Sequence, residues 1–137
     1  MPELSGLLET TLFVKDVSKA CAFYQEVLGL EGRWGRFLVG EKMLLLLVSH
    51  EKARVPSKIP GGEIPPCFVG PGEPQGAGHI AFKVAETELD AWRTHLESKE
   101  VEVLSEVVFD RGGRSLYFRD PDGHLLELST PGVWEIY

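Results

Sequence analysis

The chain says nearly the same thing twice. Residues 9–14 read Glu-Thr-Thr-Leu-Phe-Val; a helix-like run and then short, turn-flanked strands follow, ending in the apolar stretch 43–48. Residues 79–84 read His-Ile-Ala-Phe-Lys-Val and lead through the same order to a last strand at 124–129. Self-similarity of this kind points to repeated structural units. Glu9 and His79 hold equivalent places in the two copies, and a third metal-capable side chain, Glu127, sits on the last strand of the second.

At 137 residues the chain is expected to form one domain with a real core. A net charge of −7 argues against a protein that tracks nucleic-acid phosphates, because that task needs a basic face. The longest apolar run, 43–48, is far too short to span a bilayer, and no basic-then-apolar leader is visible at the start. Two cysteines, Cys21 and Cys67, make no disulfide framework. The expected setting is therefore cytoplasmic, with no membrane and no nucleic-acid partner.

Residues 7–15 have strand composition. Asp16 and Ser18 offer capping oxygens, Ala20, Phe23, Tyr24, Val27 and Leu28 recur at helical spacing, and Gly29 ends that helix. Two short strands are expected within 32–40, and one at 43–49. The run 50–78 holds most of the chain's prolines and reads as a long loop, expected to behave as a mobile rim or lid. Strands are expected at 79–84, 101–109, 114–119 and 124–129, with a helix over 86–99 and a turn at Asp120-Pro121-Asp122-Gly123. The order β-α-β-β-β, twice, defines the expected class: α+β, with two modules forming a curved mixed sheet around a cleft. Module one covers about 5–49, the loop 50–76 and module two about 77–130.

These motifs carry a resemblance. Ala22-Phe23-Tyr24-Gln25-Glu26-Val27-Leu28-Gly29-Leu30, Gly78-His79-Ile80-Ala81-Phe82 and Asp120-Pro121-Asp122-Gly123-His124-Leu125-Leu126-Glu127 resemble the vicinal oxygen chelate superfamily. Its members include glyoxalase I, extradiol dioxygenases, fosfomycin-resistance transferases and bleomycin-resistance proteins. The resemblance implies one divalent metal (Fe, Mn, Ni, Zn or Mg) held by Glu9, His79 and Glu127, with Glu127 and Glu9 as catalytic carboxylates. Histidine is commoner at the first of these places, so Glu9 departs from the usual pattern. Glyoxalase I takes a fourth ligand from the last strand of the first copy, and here that strand, 43–48, offers none. Thr11 and Tyr117 match positions that contact substrate in the fosfomycin transferases. The resemblance also implies a homodimer, expected to have the segment 134–137 near its contact.

Strand alternation supports the same three ligands from the residues themselves. Glu9, Thr11 and Phe13 share one face of their strand, opposite Leu8, Thr10, Leu12 and Val14, which a helix would cover. His79 and Ala81 lie opposite Ile80, Phe82 and Val84. Glu127 shares a face with Leu125 and Ser129, and Tyr117 with Ser115. Burying carboxylates without partners is costly, and a divalent cation relieves both that cost and their mutual repulsion. Candidate substrate-binding residues are Thr11, Tyr117 and Ser115, with Arg36 and Arg114 able to grip an anion. His50, His95 and His124 read as surface residues.

The expected function is that of a metal-dependent enzyme acting on a small oxygen-rich molecule through vicinal oxygens. Its reaction would be a glyoxalase-like isomerase or lyase step, or an extradiol-type dioxygenase step. The alternative is a protein of the bleomycin-resistance type that sequesters a ligand without chemistry.

Overall fold

The computed structural model describes residues 1, 7–74 and 78–137. The chain divides into two compact units, Met1–Gly76 and Ala77–Tyr137. Unit 1 holds β1 (Glu9–Val14), α1 (Val17–Glu26), β2 (Gly32–Arg33), β3 (Arg36–Val39), β4 (Met43–Ser49), the short α2 (His50–Ala53) and the hairpin β5 (Ser57–Ile59)–β6 (Gly62–Ile64). Unit 2 holds β7 (His79–Lys83), a single 3-10 turn at Glu86–Glu88, α3 (Leu89–Ser98), β8 (Ser105–Val108), β9 (Arg114–Arg119) and β10 (Leu125–Ser129).

The two main sheets are copies of one topology. Their strand orders are β1-β4-β3-β2 and β7-β10-β9-β8, each with one parallel pair at an edge followed by two antiparallel pairs. The registers also match: Glu9 lies opposite Leu44 as His79 lies opposite Leu125. Leu46 therefore stands in unit 1 where Glu127 stands in unit 2, and Arg36 stands where Tyr117 does. This is the expected α+β class.

Each sheet buries one face. In unit 1 Leu12, Val14, Phe37, Leu45 and Leu47 are buried together with Ala20 and Tyr24 of α1. Tyr24 packs on Phe37 with ring centroids 6.1 Å apart. Removing each such side chain from water contributes about 1.5–3 kcal/mol. Asp16 caps α1 by accepting from Lys19 N at 3.0 Å, and Gly29, at φ 65°, ends the helix region as expected. In unit 2 Leu89 and Leu96 of α3 are buried with Leu116, Phe118, Leu126 and Leu128. Burial alternates as read from the sequence on β1 and β7, while on β9 and β10 the second face is buried too, at Ser115, Glu127 and Ser129.

The β2–β3 turn is made by Trp34 and Gly35, both with positive φ (54° and 75°). Gly35 is required there. A Cβ would sit 2.5 Å from the Leu47 carbonyl oxygen, and the Gly35 carbonyl already accepts from Leu47 N at 2.7 Å.

Three expectations need correction. The run 50–78 is not simply a loop, since it contains α2 and the β5–β6 hairpin. Ser49 caps α2 through Lys52 N, and Phe68 N bonds back to the Ala53 carbonyl, local bonds that a proline count does not register. The strand expected over 101–109 is confined to Ser105–Val108, because Val101 N bonds to the Leu96 carbonyl and completes the helix end instead. His124 is not a surface residue; it is 3% exposed.

The C-terminal segment folds back on its own unit. The Tyr137 hydroxyl donates to the Val84 carbonyl at 3.1 Å, while Trp134 and Ile136 remain exposed. Among the described residues, no helix is long and apolar enough to cross a membrane.

Candidate metal centre

Three strands of unit 2 bring one carboxylate to the middle of a polar cluster. Glu127 on β10 lies in register with Tyr117 on β9 and Ala81 on β7. Its Oε1 accepts from the Tyr117 hydroxyl at 3.0 Å and from the Ser129 hydroxyl at 2.6 Å. Its Oε2 stands 3.0 Å from His79 Nε2. Ser115 lies opposite Ser129, with hydroxyls 3.0 Å apart. The His79 ring lies near-parallel to that of Tyr117, with centroids 6.4 Å apart.

Glu127 is 6% exposed, and burial alone would push its pKa up. The hydroxyls of Ser115, Ser129 and Tyr117, with the charge of His79, outweigh that and hold the carboxyl below the ordinary glutamate value. Tyr117 is affected in the opposite sense. Burial, and then its bond to the Glu127 carboxylate, raise the pKa of the phenol, so it stays protonated as a donor.

His79 is exposed at the start of β7, and its other nitrogen, Nδ1, lies 3.1 Å from the Leu125 carbonyl. A carbonyl can only accept, so Nδ1 carries a proton. In the neutral ring Nε2 then presents a lone pair toward the carboxylate, an arrangement that needs a cation between them. A proton on Nε2 satisfies it, and so does a metal ion. With bonds of about 2.1 Å at right angles, octahedral ligands lie about 3.0 Å apart, which is the Nε2–Oε2 separation found here. The pair therefore fits a divalent metal, with the Leu125 carbonyl orienting the imidazole from behind.

The strand start is itself anchored. Gly78 N donates to His124 Nδ1 at 3.0 Å, and Leu125 N donates to the Gly78 carbonyl at 3.2 Å. Asp120 Oδ1 accepts from the backbone N–H groups of Asp122 and His124, both at 2.9 Å. The Asp-Pro-Asp-Gly-His turn thus ties the last strand to the residue preceding His79. Sequence reasoning marked that turn but missed the function of its histidine.

The remaining candidates divide cleanly. Glu9, Thr11 and Arg36 lie in unit 1 on the face of the sheet opposite the buried Leu12, Leu45 and Leu47. Thr11, Leu46 and Arg36 form one cross-strand row. Among the described residues no group of three His, Cys, Asp or Glu side chains is assembled for a metal; His79 and Glu127 are a pair within unit 2. Arg114 must be corrected. It shares the helix-covered face of β9 with Leu116 and Phe118, where it pairs with Asp90 of α3 at 2.9 Å and with Glu106 of β8. Its guanidinium clamps a helix to a strand instead of facing Glu127. Ser129 is the polar group that sequence reasoning placed on the correct face but gave no role.

Each unit is a β-α-β-β-β module, and the second carries a histidine and a glutamate on adjacent strands. Residues 6–128 match the Glyoxalase/Bleomycin resistance protein/Dioxygenase superfamily, and the chain belongs to it. The chain is 31% identical over 134 residues to the metallothiol transferase FosB of Shouchella clausii (strain KSM-K16), covering 93% of this chain and 81% of that protein. It is 34% identical over 129 residues to the glutathione transferase FosA of Serratia marcescens, covering 91% and 80%. The structure of a lactoylglutathione lyase from Agrobacterium tumefaciens matches with a TM-score of 0.78 at 30% identity, covering 98% of this chain and 99% of that one. The fosfomycin resistance protein FosX of Listeria monocytogenes matches with a TM-score of 0.65 at 27% identity, covering 96% and 97%.

Proposed function

We propose that this protein is a metal-dependent enzyme acting on a small oxygen-bearing molecule. The observation that carries this reading is the His79–Glu127 pair, 3.0 Å apart, with Nδ1 of the imidazole committed to the Leu125 carbonyl. His79 Nε2 and Glu127 Oε2 are the first two ligands. Glu9, the third ligand that the resemblance implies, holds in its own sheet the register position that His79 holds in the other. Two carboxylates and one imidazole suit harder divalent ions and leave coordination positions open. When bound, such an ion supplies Lewis acidity toward substrate oxygens.

The protein's own groups do the rest. The Tyr117 hydroxyl stays protonated and donates its one proton to Glu127 Oε1, which holds the carboxylate in place and leaves the phenol oxygen to accept from a substrate hydroxyl. Arg36 and Thr11, in one row on the sheet of unit 1, are the groups for a substrate anion and its neighbouring oxygen.

The relatives' names narrow the chemistry further. Two of the names are of a metallothiol and a glutathione transferase, and the third is of a lyase acting on a glutathione adduct. We therefore favour formation or rearrangement of a thiol adduct over ring-cleaving oxygenation. The test is to reconstitute the protein with Mn(II) and follow glutathione consumption with epoxides, and isomerisation of glutathione adducts of 2-oxoaldehydes. Metal-dependent turnover that is lost in His79→Ala supports the reading. Stoichiometric ligand binding with no turnover on any substrate, metal present, would instead favour a sequestering protein.

A further inference from the structure

The two oxygens of Glu127 are held differently. Oε2 faces His79. Oε1 accepts two hydroxyl protons, from Tyr117 at 3.0 Å and from Ser129 at 2.6 Å. Ser129 is 6% exposed and Ser115, against it at 3.0 Å, is fully buried, so water has little access to take the place of either hydroxyl. Strand register builds this arrangement: Ser129 and Ser115 are direct cross-strand partners on β10 and β9, on the face that carries Glu127. Unit 1 has no such arrangement on β4. Leu46 takes the place of Glu127, and Val48, two residues on, takes the place of Ser129. The hydroxyl accompanies the carboxylate and is missing from the copy that lacks it.

A carboxylate with one oxygen already accepting two bonds cannot chelate a metal with both oxygens unless it breaks them. Hydrogen bonds to an ionised acceptor in a dry site are among the stronger ones, so that rearrangement is resisted. We propose, resting on the metal reading above, that Ser129, supported by Ser115, is a positioning residue that restricts Glu127 to one-oxygen ligation through Oε2. The ligation geometry, and with it the number of coordination positions left for substrate, is then set by a side chain that never touches the metal.

The experiment uses Co(II), whose visible absorption reports coordination number, titrated into the full-length protein. Wild type is expected to bind one Co(II) with a defined spectrum. Ser129→Ala is expected to bind about tenfold more weakly and to change the band intensity as Glu127 becomes free to offer both oxygens. Ser129→Thr, which keeps the hydroxyl, is expected to restore both affinity and spectrum. If Ser129→Ala matches wild type in both, or if Ser129→Thr is as altered as Ser129→Ala, the positioning role is wrong while the metal site stands. If wild type gives no Co(II) spectrum at all, the metal reading fails and this proposal with it. Should Ser129→Ala not fold, Ser115→Ala carries the test: a smaller change in the same direction supports the role, and an unchanged affinity and spectrum overturns it.

Discussion

His79 Nε2 stands 3.0 Å from Glu127 Oε2 although the two residues are 48 positions apart, and each is held from behind by other groups of the same sheet. The Leu125 carbonyl fixes the imidazole, and Tyr117 and Ser129 fix the carboxylate. The pair is thus built by the parallel register of β7 on β10 and the antiparallel register of β9 on β10. A one-residue slip of either strand would turn its side chains to the opposite face.

The Tyr117 hydroxyl is expected to ionise above the ordinary tyrosine range, because burial and its bond to the Glu127 carboxylate both favour the neutral phenol. The difference in 295 nm absorbance between metal-free wild type and Tyr117→Phe, followed against pH, isolates this group. A component titrating at or below the ordinary value of about 10 would contradict the hydrogen bond.

His124 accepts the Gly78 N–H from a buried position. His124→Ala leaves that donor without its partner, and is expected to cost about 1–3 kcal/mol in urea unfolding. It is also expected to weaken divalent-metal binding, because Gly78 sets the position of His79. Stability within a few tenths of a kcal/mol of wild type would show that the clamp is not needed.

The acid side of the stability curve should carry a signature of Glu106. Hydrogen bonds from Arg114 and then Arg93 hold its carboxyl below the ordinary glutamate value, burial opposing them weakly. With the folded-state pKa depressed, the stabilisation is fully present above the unfolded value of about 4.3. It is lost as pH falls through the lower folded value. Glu106→Gln is therefore expected to flatten the fall in stability below about pH 4 and to leave the pH dependence near neutrality unchanged. An acid limb identical to wild type would show that the Arg93–Glu106–Arg114 cluster is screened away.

The duplication, the strand parity and the placement of Glu127, His79, Tyr117 and Ser115 on one face were legible in the sequence, because period-2 alternation and the Asp-Pro-Asp-Gly turn are local signals. Three features were not. Parity puts Arg114 beside Leu116 and Phe118, but the partners that hold its guanidinium there, Asp90 and Glu106, come from a helix and a neighbouring strand. The burial of His124 depends on Gly78, 46 residues away. The hairpin Ser57–Ile64 lacks an apolar face, since every residue of both strands is exposed, so no alternation announced it. What escaped notice in each case was a partner distant in the chain or a missing hydrophobic pattern.

Metal content per chain, by elemental analysis after reconstitution with a single divalent ion and removal of the excess, tests the central claim most directly. The account predicts about one ion per chain for wild type and none for His79→Ala, which removes the one nitrogen ligand and leaves only carboxylates. Glu127→Gln should lose most of the metal, and Glu9→Gln should retain more, since an amide oxygen still coordinates. Glu9→His should keep the metal and favour iron or zinc. No metal in wild type, or equal metal in His79→Ala, would contradict the account.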